Sequence, residues 1–474
     1  MKKALLICLT ISHLSFCSTE FTSQSFMFTR PVGQNSVAQD ALWHNIVHNK
    51  HGKSLSSFHI TGIYKRSIEQ NKTKKYFLFD GKTVLKIRGD SIASELNTRD
   101  IRAEWLNLPA NFSSEITIDP EQKQSGLILE YNFDFKKKFK NSLLEQYSLT
   151  ISAPLVLVEN NINFKEFNIQ NPGTTANSPA NATESFSQQQ FHYGKIINKQ
   201  RSTIDIAHIA VKLGTTYMSK NNFQVAYFSQ LLFPTAQKDE AHYMFESIAG
   251  NNGHIGIGAG AHFQFPINRN NEKCDICFFL NLENIFFIRR KHTRVLDLNN
   301  KPWSRYLLLN KQNEGDNQNI PAINILSQQV IVRPYNMIDA TFGWRFKTDR
   351  VELELGYNIW GHGAEKLEFE NDHTFDEVYG IAAPAGGILS ASASSIKTQS
   401  AADAAFTPIK KSNLDLKSGA SKSTLTHKIQ LAGGIIKEGN FIDGTLGLGI
   451  FYEVPQKNSA LKLWGIWTKI AASF

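Results

Sequence analysis

The chain has 474 residues, enough for one large domain or three small ones. Hydrophobic residues make up 41% and charged residues 20%, which excludes a disordered tail and a collagen-like fibre. A net charge of +9, spread thinly along the sequence, does not form the dense basic stripe of a nucleic-acid binder. The aromatic content is the most unusual feature, with 33 Phe, 13 Tyr and 7 Trp. The composition therefore predicts an ordered, aromatic-rich protein with no nucleic-acid partner.

Residues 1–17 are predicted to be a secretory signal peptide. Two lysines follow the initial methionine, and an apolar stretch of 13 residues runs from Ala4 to Phe16. This stretch is too short to span a bilayer but has the length of a leader. Cleavage is expected after Cys17, because the bulky Phe16 in front of this cysteine disfavours lipidation. The protein is therefore expected to be exported.

The rest of the chain has no run of 18 consecutive apolar residues, so no spanning helix is expected. An exported chain of this kind is either soluble or crosses a membrane as a closed β-barrel, since a barrel is the other way to satisfy backbone polar groups in lipid. A soluble β-sandwich also alternates polar and apolar residues, but it places its aromatic side chains inside. The density of aromatics favours the barrel.

The last strand is the most informative segment. In the stretch 460–474, Trp464, Ile466, Ile470 and Phe474 fall on one apolar face, and Lys469 falls on the other. Such alternation over about ten residues is typical of a strand between lipid and a wet lumen. The segment resembles the last strand of bacterial outer-membrane β-barrel proteins, which typically ends in an aromatic residue. The resemblance implies that Phe474 is the assembly signal, and that outer-membrane lipid and the barrel-assembly machinery are partners.

The same alternation recurs upstream and predicts an all-β fold: a transmembrane antiparallel up-and-down β-barrel of 12–14 strands, with 14 preferred. The turn signal Asp80-Gly81 leaves a second possibility, in which 76–88 folds as a separate hairpin and the wall has twelve strands. The expected strands lie near 57–66, 76–88, 98–107, 125–135, 148–160, 204–218, 223–233, 253–265, 276–290, 333–347, 350–363, 424–436, 441–454 and 460–474.

The connections alternate between short and long, as expected for short periplasmic turns and long extracellular loops. The barrel is assigned to 57–474, with long extracellular loops near 161–203, 291–329 and 364–423. Residues 18–56 are either a periplasmic lead-in or a plug for the lumen, with a short helix beginning at Asp40. A plug would match the layout of the long-chain fatty-acid transporter family, to which the chain is more weakly similar.

Charged residues at inward positions are the candidates for a functional site in the lumen. The inferred registers place Arg345, Lys347, Lys428 and Lys469 inside, opposed by Asp339, Glu352, Glu354, Asp443 and Glu453. The sum is near neutral, so a sharply anion-selective pore is not expected. No catalytic, cofactor-binding or metal-binding residue is assigned.

Two further features could carry chemistry. Cys274 and Cys277 are expected to form a local disulfide in a periplasmic turn, because a single C-x-x-C is weak evidence for zinc. His427 lies on the outer face, where some outer-membrane phospholipases carry a catalytic histidine, but no serine can be placed beside it. An enzyme is therefore not expected.

The sequence thus favours an outer-membrane protein that acts as a passive, porin-like channel for a small-molecule solute. The alternative is a non-transporting surface protein of the adhesin type, which acts through its extracellular loops. The oligomeric state and the solute stay open.

Overall fold

The computed structural model describes residues 23–34, 56–69, 71–92, 98–135, 147–174, 178–218, 223–267, 275–311, 320–348, 350–370, 376–381, 408–437 and 442–474. The strands are β1 (Ser56–Ser67), β2 (Leu85–Arg88), β3 (Ile101–Arg102), β4 (Ser113–Thr117), β5 (Glu121–Asp134), β6 (Tyr147–Asn161), β7 (Lys165–Gln170), β8 (Arg201–Ile206), β9 (His208–Met218), β10 (Gln224–Pro234), β11 (Gly256–Pro266), β12 (Asp275–Phe287), β13 (Arg290–Val295), β14 (Asp297–Leu298), β15 (Leu308–Lys311), β16 (Ile320–Pro321), β17 (Ser327–Arg333), β18 (Asn336–Lys347), β19 (Val351–His362), β20 (Lys366–Phe369), β21 (Tyr379–Ile381), β22 (Leu414–Asp415), β23 (Thr424–Lys437), β24 (Asp443–Pro455) and β25 (Leu463–Ser473).

Helices are few and short in the part of the chain that the structure describes. The described α-helices are α1 (Asn71–Phe77), α2 (Ala182–Phe186) and α3 (Ala322–Leu326), and the 3-10 turns are Val32–Gln34, Ala103–Leu106, Ser304–Tyr306, Lys411–Asn413 and Leu416–Gly419. Among the described residues, none of these helices has the length and apolarity needed to cross a membrane.

Twelve antiparallel strands close into a barrel. Around the wall the order is β1, β25, β24, β23, β19, β18, β12, β11, β10, β9, β6 and β5, and β5 pairs with β1 to close the ring. A thirteenth strand, β8, pairs with the part of β6 that β9 does not reach. From Leu155 to Ser152 on β6 the partner strand advances from Ile206 to Ala210, one residue more. The insertion is a β-bulge next to Ala207, and it lets β8 and β9 run along the same neighbour.

The wall has an apolar outside and a polar inside. On β25 the odd positions from Leu463 to Ser473 are buried, whereas Ile466 and Ile470 are exposed. The other wall strands repeat this pattern, and most of the large exposed hydrophobic side chains among the described residues, including Leu448, lie on the outside of the wall. Because hydrocarbon surrounds such a surface in a bilayer, the fold is that of a transmembrane β-barrel.

The connections that leave the barrel at one end, which we call the cap end, are 68–120, 162–207, 235–255, 288–335, 363–423 and 456–462. The other end carries 135–146, the other short turns and Phe474. The described parts of the cap-end connections pack into a cap with its own apolar core. Trp303 is fully buried in that core; its indole N–H donates to the carbonyl of Phe77 at 2.9 Å, and its ring meets Phe79, Phe186 and Tyr306 edge-on or tilted. Small sheets hold the cap together, in the orders β3-β2-β4-β7, β13-β17-β20, β14-β22 and β16-β15-β21.

The preferred count of fourteen strands is wrong, because two expected wall strands belong to the cap. Residues 76–88 supply the end of α1 and β2, and 98–107 supply β3 and a 3-10 turn. Tyr76 and the three residues after it are all buried, which a wall strand with alternating faces does not allow. Asp80 and Gly81 do form a turn, with φ of 53° and 66°, but it joins α1 to β2 rather than two wall strands. The twelve-strand alternative is therefore correct.

Candidate functional site: the occluded lumen

The lumen is the candidate functional site, and it is closed. Thr61, Thr341 and Lys428 point into it from three separate parts of the wall, yet each is only 1–2% exposed. A water-filled pore would leave such side chains accessible to solvent. The lumen of this structure is therefore filled rather than open.

The N-terminal segment 23–34 enters the lumen from the cap. Its first residues are held by the cap core: the Ser23 hydroxyl donates to the Phe77 carbonyl at 2.6 Å, and the Ser25 hydroxyl donates to the Val295 carbonyl at 2.6 Å. Further along, the Phe28 amide donates to the hydroxyl of Ser421 at 3.2 Å. The segment thus lies within the part of the chain that is expected to be either a plug or a periplasmic lead-in. The helix expected at Asp40 lies outside the described residues.

Arg30 fixes the segment to the wall. Its guanidinium is 2.5 Å from the Asp339 carboxylate on β18 and 3.4 Å from the Glu453 carboxylate on β24, and it donates to the side chain of Asn358 on β19 at 3.0 Å. The guanidinium also lies 5.4 Å from the ring centre of Trp360. The side chains of Arg30, Asp339 and Glu453 are 2–3% exposed. Removing one partner from such a buried cluster leaves uncompensated charge, so the contact is strong only while it is complete.

The end of the segment is packed against β6 and β9. Gln34 donates to the side chain of Asn251 in the cap. A Cβ atom on Gly33 would lie 2.6 Å from Pro154 and 2.8 Å from His208, closer than carbon atoms approach. With Pro154 and His208 in place, only glycine allows this close approach of the segment to the wall without displacing one of these side chains.

A second charge cluster lies nearer the turn end. Arg345 contacts both Glu352 and Glu354, at 3.0 and 2.8 Å, and all three side chains are 0–3% exposed. Gln430 also donates to Glu354, at 2.9 Å. These four residues all belong to the wall strands and hold one another. Part of the polar lining is therefore satisfied by the wall itself.

The structure places all the predicted lumen residues on the inward side of their strands. Arg345, Glu352 and Glu354 meet in one cluster, and Lys428 lies 3.5 Å from Glu453 in the Arg30 cluster. Lys469 is buried on β25. Lys347 and Asp443 lie at the turn-end limit of β18 and β24 and are half-buried, so they belong to the rim.

Sequence reasoning missed Arg30, the residue that joins the segment to the wall. It also missed Lys65, which donates to the Arg30 carbonyl, and the buried Glu130 on β5. Nothing in the sequence marks Arg30, because it stands in a short stretch without periodicity. Lys65 and Glu130 lie at inward positions of β1 and β5, so alternation in these two strands could have found them.

A third charge cluster holds the segment inside the cap. Arg294 lies 2.7 Å from Asp239 and 3.5 Å from Glu365, and its guanidinium stacks on the ring of Phe26 at 3.5 Å. Burial raises the pKa of Glu365, and burial together with nearby Asp239 raises the pKa of Glu246 to about 8. A cavity of about 20 Å³, room for one water, lies between this cluster and the segment.

The two other chemical candidates are placed as follows. Cys277 is buried at the start of β12, and Cys274 lies outside the described residues, so the disulfide stays a prediction. His427 lies on the outer wall, where its Nδ1 is 2.7 Å from the hydroxyl of Tyr357.

Comparisons with known proteins match the chain by structure alone. No family model matches it, and no curated protein is similar to it. Solved structures that match include an outer-membrane channel from Pseudomonas putida F1, with a TM-score of 0.40 and 9% identity over 89% of this chain and 96% of that chain. The transport unit of the autotransporter AIDA-I from Escherichia coli follows, with a TM-score of 0.33 and 9% identity over 94% and 99%. A FadL homologue from Pseudomonas aeruginosa has a TM-score of 0.27 and 6% identity over 89% and 90%. The closed twelve-strand barrel of this chain itself confirms the predicted antiparallel β-barrel fold.

Proposed function

We propose that this protein is an outer-membrane channel for small solutes, which residues 23–34 close and which opens when they leave the lumen. The observation that carries the proposal is the Arg30 cluster. One short segment lies in the lumen, where Arg30 joins it to two carboxylates of the wall, while other charges of the wall pair with one another.

A polar lumen supports transport over a purely structural barrel. An anchor needs no buried charge, since apolar side chains can fill a small barrel and charges are costly to bury. The buried side chains of the described wall nevertheless include four cations and five carboxylates. The cations are Lys65, Arg345, Lys428 and Lys469, and the carboxylates are Glu130, Asp339, Glu352, Glu354 and Glu453. Once the segment leaves, water can fill such a lining.

The charge balance predicts the selectivity of the open state. Among the buried side chains of the described wall, four cations against five carboxylates sum to −1, and Arg30 brings that sum to zero. The inward but half-buried Lys212 and Glu283 add one charge of each sign and leave the sum unchanged. Loss of Arg30 from the lumen therefore leaves one uncompensated negative charge. We expect a weak preference for cations over anions, and no sharp selectivity.

Replacement of Arg30 by Gln tests the proposal in planar bilayers. Loss of one partner from a buried ion pair costs about 3–5 kcal/mol, and about 1.4 kcal/mol is a factor of ten. We therefore expect the open probability to rise at least tenfold over the wild-type protein. Arg333→Gln is the matched control, because Arg333 is a half-exposed arginine at the end of β17 that pairs with Glu368. Closed wild-type and Arg30→Gln proteins, both correctly folded, would contradict the proposal.

A surface-binding function is the second candidate, and the cap favours it. Strand β7 is the last strand of its sheet, and Phe167 and Ile169 on it are 36% and 43% exposed. An exposed apolar edge strand outside lipid can pair with another chain. Cell binding that survives Arg30→Gln but is lost in Phe167→Ser with Ile169→Ser would support this function.

Phe474 is proposed as the residue that the barrel-assembly machinery reads. The residue is half-exposed at the turn end, and its backbone exchanges two hydrogen bonds with Ser56, at 2.9 and 3.0 Å. It therefore lies where the first and last strands of the barrel meet.

A further inference from the structure

An apolar groove crosses the outer wall beside the seam at which the barrel closes. It has a volume of about 490 Å³ and runs over β25, β1, β5, β6 and β8. Its side walls are large outward side chains, among them Tyr64, Leu127, Leu155, Ile204 and Ile466. The groove opens outward, on the surface that faces hydrocarbon.

The groove exists because small residues interrupt the outer row of large ones. Gly62 on β1 lies opposite Thr468 on β25, and Ser125 on β5 lies opposite Tyr64. Ile60 and Tyr64 are the outward neighbours of Gly62 on β1, and Leu127 is an outward neighbour of Ser125 on β5. A Cβ on Gly62 would already lie 3.1 Å from the Thr468 hydroxyl and 3.7 Å from Leu127, so any side chain here would project into the groove.

Polar and aromatic groups mark the cap-end limit of the groove. Tyr64 and Trp464 pack edge-on with ring centres 5.8 Å apart, as expected where the wall meets the headgroup layer. Directly beyond them, Arg66 and Lys123 lie opposite each other on β1 and β5. From the cap end towards the turn end, the outward side chains beside the groove are thus first charged, then aromatic, then apolar.

At the cap-end limit of the groove, the guanidinium of Arg66 remains accessible. Arg66 and Lys123 share one carboxylate, Glu121, at 2.7 and 3.9 Å, and their side chains are 46% and 30% exposed. The next carboxylate, Glu159, lies opposite Lys123 and accepts a hydrogen bond from Gln200. A phosphate can therefore approach Arg66 from the membrane side.

We infer that the groove is a binding site for one phospholipid of the surrounding bilayer, with an acyl chain along Gly62 and Ser125 and the phosphate at Arg66 and Lys123. The groove is continuous with the lipid-facing wall, so hydrocarbon covers it in the membrane. Its fixed side walls hold the chain in one place, whereas a smooth wall lets lipid exchange freely. The site lies outside the barrel and does not require the lumen to conduct.

Native mass spectrometry of the detergent-solubilised protein tests the site, with phosphatidylglycerol as the probe. We expect one saturable lipid per barrel. Gly62→Leu should weaken this binding at least tenfold, because the new side chain fills the groove. Gly444→Leu is the matched control: Gly444 is an outward glycine on β24, its added Cβ would meet nothing within 4 Å, and binding should stay within twofold.

A second pair of measurements separates the chain from the phosphate. Arg66→Gln with Lys123→Gln should weaken phosphatidylglycerol binding but leave the binding of diacylglycerol, which lacks phosphate, unchanged. Gly62→Leu should weaken both. Heat-modifiable gel migration verifies that each variant is a closed barrel. Unsaturable binding, or binding that Gly62→Leu and Gly444→Leu affect equally, would overturn the inference.

Discussion

The wall and the cap are built from the same chain with opposite polarity. In the wall, Leu448 and Ile470 face outward and Arg345 is buried inside. In the cap, Phe77 and Trp303 are fully buried in a central apolar core. The reversal follows from the solvent: the wall meets hydrocarbon outside and polar groups inside, whereas the cap has the apolar core of a water-soluble domain.

Because the cap has an apolar core and the lumen is polar, the segment 23–34 makes different contacts in these two regions. In the cap it is held by an apolar core that includes Met27, together with the guanidinium of Arg294 stacked on Phe26. In the lumen it is held by charge, through Arg30. One short stretch of chain therefore joins two regions that are stabilised by different forces, and each can be weakened separately.

The largest expected effect is on the cap core. Phe77→Ala should destabilise the cap by about 3–5 kcal/mol, the usual cost of truncating a buried phenylalanine. Hydrogen exchange in detergent measures this loss of stability as faster amide exchange in peptides that cover residues 71–92. Phe286→Ala on the outer wall is the control, because Phe286 is 57% exposed and detergent can cover the vacated space. Equal loss of protection in both variants would contradict the reversed polarity.

The next effect concerns charge on the lipid face. Leu448→Lys places a cation on β24, at a position that is 62% exposed on the outer wall. A lysine near the bilayer midplane costs about 2–4 kcal/mol, so refolding into vesicles should fall sharply. Leu448→Ala changes size without charge and should refold nearly as wild type. Normal refolding of Leu448→Lys would show that position 448 does not face lipid.

These two regions also differ in how far the sequence predicts them. Strands such as β19, β24 and β25 alternate closely enough for their faces to be assigned from the sequence, although Trp360, Phe451 and Trp467 are large apolar residues on the inward side. The cap could not be predicted, since Tyr76, Trp105 and Trp303 meet there from loops far apart in sequence, without a shared period. For this reason two cap segments resemble wall strands when only the sequence is considered.

The residues that line the lumen could be predicted in part, because wall strands alternate between inward and outward positions. Arg345 and Glu354 stand on alternating strands, so their inward position follows from the sequence, although which side chains pair depends on neighbours around the barrel. Arg30 could not be found, because its partners on β18, β19 and β24 are more than 300 residues away in the chain.

A smaller effect is expected from pH on the cap. His254 and His292 pack with ring centres 4.8 Å apart. Burial lowers the pKa of His254 to about 4, and burial beside Arg294 lowers the pKa of His292 still further. Below pH 6.5 the unfolded chain binds protons on these two histidines that the folded cap does not, so their contribution to stability falls as pH drops from 6.5 towards 4. The raised pKa values of Glu246 and Glu365 act in the opposite direction, because the folded cap binds those protons more readily than the unfolded chain.

His292→Phe isolates this effect. The variant cannot take up that proton when it unfolds, so between pH 7 and pH 5 its cap should lose about 2 kcal/mol less than the wild-type cap. Hydrogen exchange of the cap at the two pH values measures the difference. Parallel pH dependence in the two proteins would show that His292 is not held neutral.

The smallest effect on stability is expected at the end of the wall. Phe474 is 50% exposed, so Phe474→Ala should cost less than the roughly 1.5–3 kcal/mol of a fully buried apolar side chain. If the assembly machinery reads this residue, insertion in cells should nevertheless fall strongly. Phe342→Ala removes a similar ring from the middle of the wall and serves as the control. If Phe474→Ala and Phe342→Ala reduced insertion equally, Phe474 would have no special role in recognition by the assembly machinery.

A disulfide between the segment 23–34 and the wall tests directly whether this segment closes the lumen. The Cβ of residue 33 would lie 3.2 Å from that of Pro154, slightly below the roughly 3.5–4.5 Å of disulfide-linked residues, and replacing Pro154 removes the ring atom that comes closest, at 2.6 Å. Gly33→Cys and Pro154→Cys are combined with Arg30→Gln, in a background with Cys274 and Cys277 replaced by Ser. If the segment closes the lumen, we expect no conductance in planar bilayers when the cysteines at positions 33 and 154 form a disulfide, and reproducible channels when a reductant breaks it. Conductance that is the same in both states would contradict closure of the lumen by residues 23–34.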